Sequence, residues 1–102
     1  MDAEEIKAKI RAGEFRLSLH AEMKAEAENI DIAQIVEAIL NDEILEQYAD
    51  TGRGESCLMV GFSQGTPIHI VCGMRAGNII IVTVYVPGPP KFRDPWRREG
   101  VE

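Results

Sequence analysis

The sequence has no long apolar run; none exceeds Ile79–Val82, far too short to span a bilayer. The opening MDAEEIKAKI alternates charges and lacks the apolar core of a secretory signal, so the chain reads as a soluble cytoplasmic protein with no membrane partner. Cysteine is scarce. Cys57 and Cys72 make no CxxC, and two cysteines without a secretory signal point to free thiols rather than a disulfide framework. There is no HExxH and no cluster of His with Cys, which argues against a structural zinc site; no metal and no cofactor is expected. No internal repeat or low-complexity tract is visible.

What remains is 102 residues, 45% of them hydrophobic, enough for one domain of modest stability over 1–102. The net charge of −6 is unevenly placed. Residues 1–50 carry thirteen acids and five bases, whereas 51–102 carry four acids and six bases. The chain divides accordingly into a mainly helical acidic part (1–42), a sheet (43–86) and a basic-aromatic tail (87–102). Such a balance disfavours indiscriminate nucleic-acid binding but leaves room for a local basic patch.

Asp2 to Ala12 predicts a first helix, with Ile6 and Ile10 on one stripe and Gly13 as its stop. Glu14 to Leu17 reads as a short strand or extended linker. Ser18 caps a second helix running to about Glu28, with Leu19, Met23 and Ala27 inward and Glu22, Glu26 and Glu28 outward. The third helix is the best marked. Asp31 and Gln34 form a capping box, Ile30 and Ile35 a hydrophobic staple, and Ile32, Ile35, Val36, Ile39 and Leu40 a wide apolar stripe.

Glu43 to Tyr48 predicts a strand. Cys57–Phe62, Pro67–Cys72 and Ile79–Val86 then predict an antiparallel meander that PGPP closes, because proline cannot donate to a ladder. The tail KFRDPWRREGVE reads as irregular. A tight turn at Gln64–Gly65 pairs Cys57 with Cys72, Met59 with Ile70 and Val60 with His69. The second turn, GMRAGN, leaves two registers. An even loop puts Ile79, Ile81, Thr83 and Tyr85 beside Ile70; an odd loop or a bulge puts Thr83 and Tyr85 beside His69.

The fold expected is therefore α+β: an antiparallel sheet of about four strands with two or three helices on one face. His69, inside an apolar strand, reads as a general acid or base, although a histidine so placed is more often a hydrogen-bonded core residue. His20, in the first turn of the second helix, reads as a ligand-facing base or as packing. Tyr85 is an acid or phosphate contact, or a half-buried strand aromatic. Arg53, Arg75, Lys91, Arg93, Arg97 and Arg98, with Phe92 and Trp96 interleaved, suit phosphates and stacked bases. They suit equally a tail laid over its own acidic helices. Cys57 and Cys72 have no adjacent base to activate them.

FRLSLHA (15–21), YADTGRGESCLMVGFSQGTPIHIV (48–71) and IVTVYVPGPPKFRDPWRRE (81–99), in that order and spacing, resemble the domain-of-unknown-function family numbered 4258. Such proteins look like distant members of the RelE/ParE toxin superfamily. The resemblance implies helices packed on one side of an antiparallel sheet and a metal-independent mRNA endoribonuclease, the toxin of a toxin–antitoxin pair. It implies His20 or His69 as base and Tyr85 as acid, with Arg16, Arg75 and Arg97 holding phosphate. Lys24 retains the basic charge of the second helix. The partners implied are a cognate antitoxin and RNA or the ribosome. A non-catalytic interaction module, and a toxin acting on a protein target, are the competing readings. An unprotected strand edge also offers a route to a homodimer.

Overall fold

The computed structural model describes residues 1–50, 52, 54–88 and 92–98. Arg53, Lys91 and the Pro89–Pro90 half of the proline run lie outside the described residues, as do the side chains of Phe92, Arg93 and Arg98.

Helix α1 (Ala3–Arg11) starts at Asp2, whose carboxylate accepts from the Glu4 and Glu5 N–H groups, and buries Ile6 and Ile10 as its spacing predicts. Strand β1 (Phe15–Leu17) leads into α2 (Leu19–Ala27), which Ser18 caps through the Ala21 N–H at 3.0 Å. Helix α3 (Ile32–Leu40) carries the full capping box: the Gln34 N–H donates to Asp31 Oδ1 at 2.8 Å, and the Asp31 N–H donates to Gln34 Oε1 at 2.9 Å. Its buried residues are Ile35, Ala38 and Ile39. Ile32, assigned to that stripe from sequence, is instead exposed at the first helical position.

Strands β2 (Glu43–Tyr48), β3 (Ser56–Ser63), β4 (Thr66–Arg75) and β5 (Asn78–Tyr85) form the expected antiparallel ribbon. β1 adds a fifth strand, parallel to β5, giving the order β1-β5-β4-β3-β2. The sheet is thus mixed and one strand wider than expected, because the FRL segment takes the strand of its two alternatives and pairs Phe15, Arg16 and Leu17 with Ile79, Ile80 and Ile81. The β3–β4 register is the one read from the Gln64–Gly65 turn, down to Cys57 opposite Cys72. Gln64 (φ 52°) and Gly65 (φ 81°) both take the left-handed conformation that two-residue hairpins need, and Ala76 and Gly77 repeat it between β4 and β5.

The core lies between the helices and one sheet face, with Ile6, Ile10, Ala21, Ala25, Ile35 and Ile39 packed on Met59, Ile70, Ile79, Ile81 and Val84. α3 comes closest at Gly61, where an added Cβ would sit 2.0 Å from the Ala38 carbonyl oxygen. α2 is tied to β5 at both ends. The Ser18 N–H donates to the Ile81 carbonyl and its Oγ to the Val82 carbonyl, at 2.9 Å each, while Glu28 Oε1 accepts from the Val86 N–H at 3.1 Å. Held this close, α2 presents its small residues, Ala21 and Ala25, to the sheet. This corrects the expected orientation: Leu19 is 72% and Met23 62% exposed, and Glu28 works as an anchor rather than on an outer face. Within the tail, read from sequence as irregular, β6 (Phe92–Asp94) and β7 (Arg97–Arg98) form a small hairpin. Among the described residues no helix is long and apolar enough to cross a membrane.

Two stability predictions follow from this packing. Gly61→Ala forces α3 off the sheet and should cost about 2 kcal/mol or more in denaturant unfolding. Gly73→Ala, whose Cβ meets nothing closer than 3.8 Å, should stay within about 0.5 kcal/mol of the parent. Asp42 is the second case. Its carboxylate oxygens are buried without a hydrogen-bond partner, and the Lys7 ammonium is 4.0 Å away. Burial pushes this carboxyl up to about 7 against an ordinary 3.8, and Lys7 only partly offsets it. The folded protein therefore holds a proton that the unfolded chain releases, and stability falls as the pH rises through that interval. Asp42→Asn should flatten the decline of Tm between about pH 4 and pH 7 and leave the variant more stable than the parent at the upper end.

Candidate functional site

The outer sheet face, away from the helices, is shaped by one irregularity in β5. Cys72 pairs with Ile81 but Val71 with Thr83, so Val82 is an extra residue in the ladder. The loop is even, as one register requires, and Ile79 and Ile81 face the core. Past the bulge the phase reverses: Val84 goes inward while Thr83 and Tyr85 join the face of His69, as the other register requires. Both sequence-level alternatives are thus realised in succession on one strand.

Two histidine sites result. The first is buried. His69 pairs with Tyr85 across the ladder, their rings 5.3 Å apart. Its Nε2 lies 2.5 Å from the Pro95 carbonyl oxygen, which can only accept, so Nε2 carries the proton and Nδ1 accepts from the Tyr85 hydroxyl at 3.3 Å. The β6–β7 turn lies over this region. Trp96 packs on Phe62 at a centroid distance of 5.8 Å and donates its indole N–H to Glu43 Oε1 at 3.0 Å. His69, with Leu58 and Val60 on the same face, is thereby closed off from water.

The second site is open. His20, exposed in the first turn of α2, shares a 3.1 Å hydrogen bond between Nε2 and Thr83 Oγ1. Next to it is a cavity of about 340 Å³ lined by Arg16, Ser18, Gly54, Glu55, Ser56, Val71, Gly73, Met74, Arg75, Ile80 and Val82. Its floor follows a single rung of the sheet, Arg16–Ile80–Gly73–Ser56. Glycine in the middle of that rung leaves the floor hollow. His20 borders it by connectivity, two residues after Ser18 and bonded to the residue after Val82.

The candidate residues therefore fall into separate groups. Arg16 and Arg75 line the groove and His20 borders it. His69 and Tyr85 sit together under the tail. Lys24 is half-buried on α2, and exposed Arg97 is paired with Asp94 at 2.8 Å, so neither lines the groove. The Arg97 pairing and N–H groups from Trp96 and Arg97 hold the Asp94 carboxyl below the usual carboxylate range. Sequence reading passed over Glu55, Ser56 and Gly73, because the rung that joins them to Arg16 exists only once β1 is recognised as a strand. Burial pushes the Cys57 thiol up to about 11 and the Cys72 thiol well above its ordinary value, so neither supplies a thiolate near neutrality. Among the described residues no three His, Cys, Asp or Glu side chains group to hold a metal ion.

Comparison with curated proteins and with solved structures returned no match in either case. A family model, described as a domain of unknown function (DUF4258), matches residues 17–86, from the end of β1 through β5, a span that includes His20, the bulge, His69 and Tyr85. The chain belongs to this DUF4258 family.

Proposed function

We propose that the chain is a metal-independent endoribonuclease of the toxin type, acting on single-stranded mRNA at the groove beside His20. The observation that carries this reading is the meeting of two arginines in one cavity with an exposed, hydrogen-bonded histidine at its border. RNA cleavage of this kind needs a base at the 2′-hydroxyl, positive charge at the phosphate and an acid at the leaving oxygen. His20 takes the 2′-hydroxyl proton. The resulting oxyanion attacks the adjacent phosphorus and the bond to the 5′ oxygen breaks, leaving a 2′,3′-cyclic phosphate and a 5′-hydroxyl. Arg16 and Arg75 hold the phosphate oxygens as charge builds on them. Water entering the open groove supplies the proton to the departing oxygen, because the Tyr85 hydroxyl is committed to His69 under the tail and does not line the groove. His69 itself is sealed under Pro95, so His20 is the better base.

A second reading rests on α2. Leu19 and Met23 point outward one turn apart, flanked by Glu22 and Glu26, a face suited to a basic amphipathic segment of a protein partner such as an antitoxin. On that reading the groove does no chemistry.

Purified protein incubated with single-stranded RNA, alone and with ribosomes, separates the two. Cleavage should fall about 100-fold or more in His20→Ala. It should fall likewise in Gly73→Val, which fills the groove floor on an unstrained strand residue and should leave Tm near the parent value. No cleavage by the parent under either condition would end the nuclease reading and leave the α2 face as the functional surface.

A further inference from the structure

The two strands at the middle of the hairpin ribbon carry the same three-residue pattern. β3 contains Cys57-Leu58-Met59 and β4 contains Cys72-Gly73-Met74. The register sets Cys57 directly opposite Cys72, so the two patterns run in opposite directions from that rung and are related by a local two-fold. Leu58 and Gly73 belong to the outer face, whereas the four sulfur-bearing residues between and beside them belong to the helix side. Both cysteines of the chain and two of its four methionines therefore fall on one patch, in a core otherwise filled mainly by isoleucine.

Residues directly opposite on antiparallel strands have Cα atoms about 4.5–5.5 Å apart and side chains next to each other, and a diagonal neighbour lies within reach of a long side chain. Met59 makes that reach: the Cys72 thiol donates to Met59 Sδ at 3.9 Å. Met74 occupies the position equivalent by the two-fold, diagonal to Cys57, and packs against the same core. Cys57 and Cys72 are fully buried while Met74 is half-buried, so the patch meets the surface at its Met74 end. Two thiols flanked by two thioethers make a donor set of sulfur alone. Such donors select soft ions such as Cu(I), whereas Zn(II) takes four nitrogen, oxygen or thiolate donors.

We infer that the Cys57–Cys72 rung is a binding site for one Cu(I) ion, held between the two sulfurs as thiolates with the Met59 and Met74 thioethers on either side. Both thiols are protonated in the free protein, and each gives up its proton to water as the ion enters. Two thiolates and one monovalent ion leave a single negative charge. Burial opposes that charge, and the Met1 ammonium near Cys57 favours it. The site lies behind the groove floor, because Gly73 faces the groove between Cys72 and Met74. It does not rest on the nuclease reading.

The test titrates the full chain anaerobically with Cu(I) in competition with bicinchoninate, and follows Tm in the same samples. The parent should take one equivalent from the competitor, and Tm should rise by about 5 °C or more at saturation, because the folded chain holds the ion. Cys72→Ala should abolish both effects. Met59→Leu keeps both thiols and the core volume, so it tests the site even where Cys72→Ala fails to fold. It should weaken uptake about tenfold, the lower end of the loss when a group supporting a metal site is removed. No uptake by the parent, uptake that either substitution leaves unchanged, or uptake that lowers Tm by trapping the thiols of an opened chain would each overturn the inference. Zn(II) should leave Tm where it was, and an equal rise with Zn(II) would overturn the assignment to a soft monovalent ion.

Discussion

The bulge at Val82 is the constraint on which the arrangement depends. An uninterrupted β5 would send Ile79, Ile81, Thr83 and Tyr85 to one face, burying a hydroxyl and a phenol under the helices and exposing Val84. One extra residue lets a single strand serve the core with Ile79, Ile81 and Val84 and the outer face with Thr83 and Tyr85. The helix side depends on the same segment. Ser18 bonds the carbonyls of Ile81 and Val82, so the point where β5 changes phase is also where β1 ends and α2 begins. His20 reaches Thr83 because cap and bulge are joined there.

Close approach is the second theme. α2 lies on β5 through alanines and α3 on β3 through Gly61, so the helical layer is held by small contacts while the isoleucines fill the spaces between. Asp42, at the end of α3 beside Gly61, is caught in that tight layer with Lys7 as its distant counter-charge. A carboxylate there opposes folding whenever it is charged, which is why its proton is retained toward neutral pH.

Local signals made part of this legible in the sequence. The capping box of α3, the Ile6–Ile10 stripe and the Gln64–Gly65 turn each depend on residues near in sequence, and the turn sets the whole β3–β4 register. Long-range features were not legible. FRL is too short to declare itself a strand without its partner on β5. α2 is apolar on two sides, and preference for large residues picks Leu19 and Met23, whereas the tethers at Ser18 and Glu28 select Ala21 and Ala25. GMRAGN marks a turn, but the bulge lies nine residues beyond its start and decides the phase independently. The same gap separated the candidate residues. Arg16 and Arg75 look unrelated until the Arg16–Ile80–Gly73–Ser56 rung brings their strands together.

The outer face is divided for a physical reason. Leu58, Val60 and Phe62 give one half a surface that water disfavours, and the Pro95–Trp96 turn covers it. An imidazole can lie in that apolar layer because a main-chain carbonyl meets one nitrogen and a phenol the other, leaving no polar atom of the ring unmatched. The other half cannot be covered on the same terms. Gly73 offers nothing to bury, Ser56 is small and polar, and Arg16 and Arg75 carry charges that would lose their water for no gain. Tyr85, half-buried and bonded to His69, belongs to the covered half, while Thr83, two residues away on the same strand, is bonded to the exposed His20. What joins the sealed histidine to the open one is therefore a single stretch of β5 backbone, held in phase by the bulge.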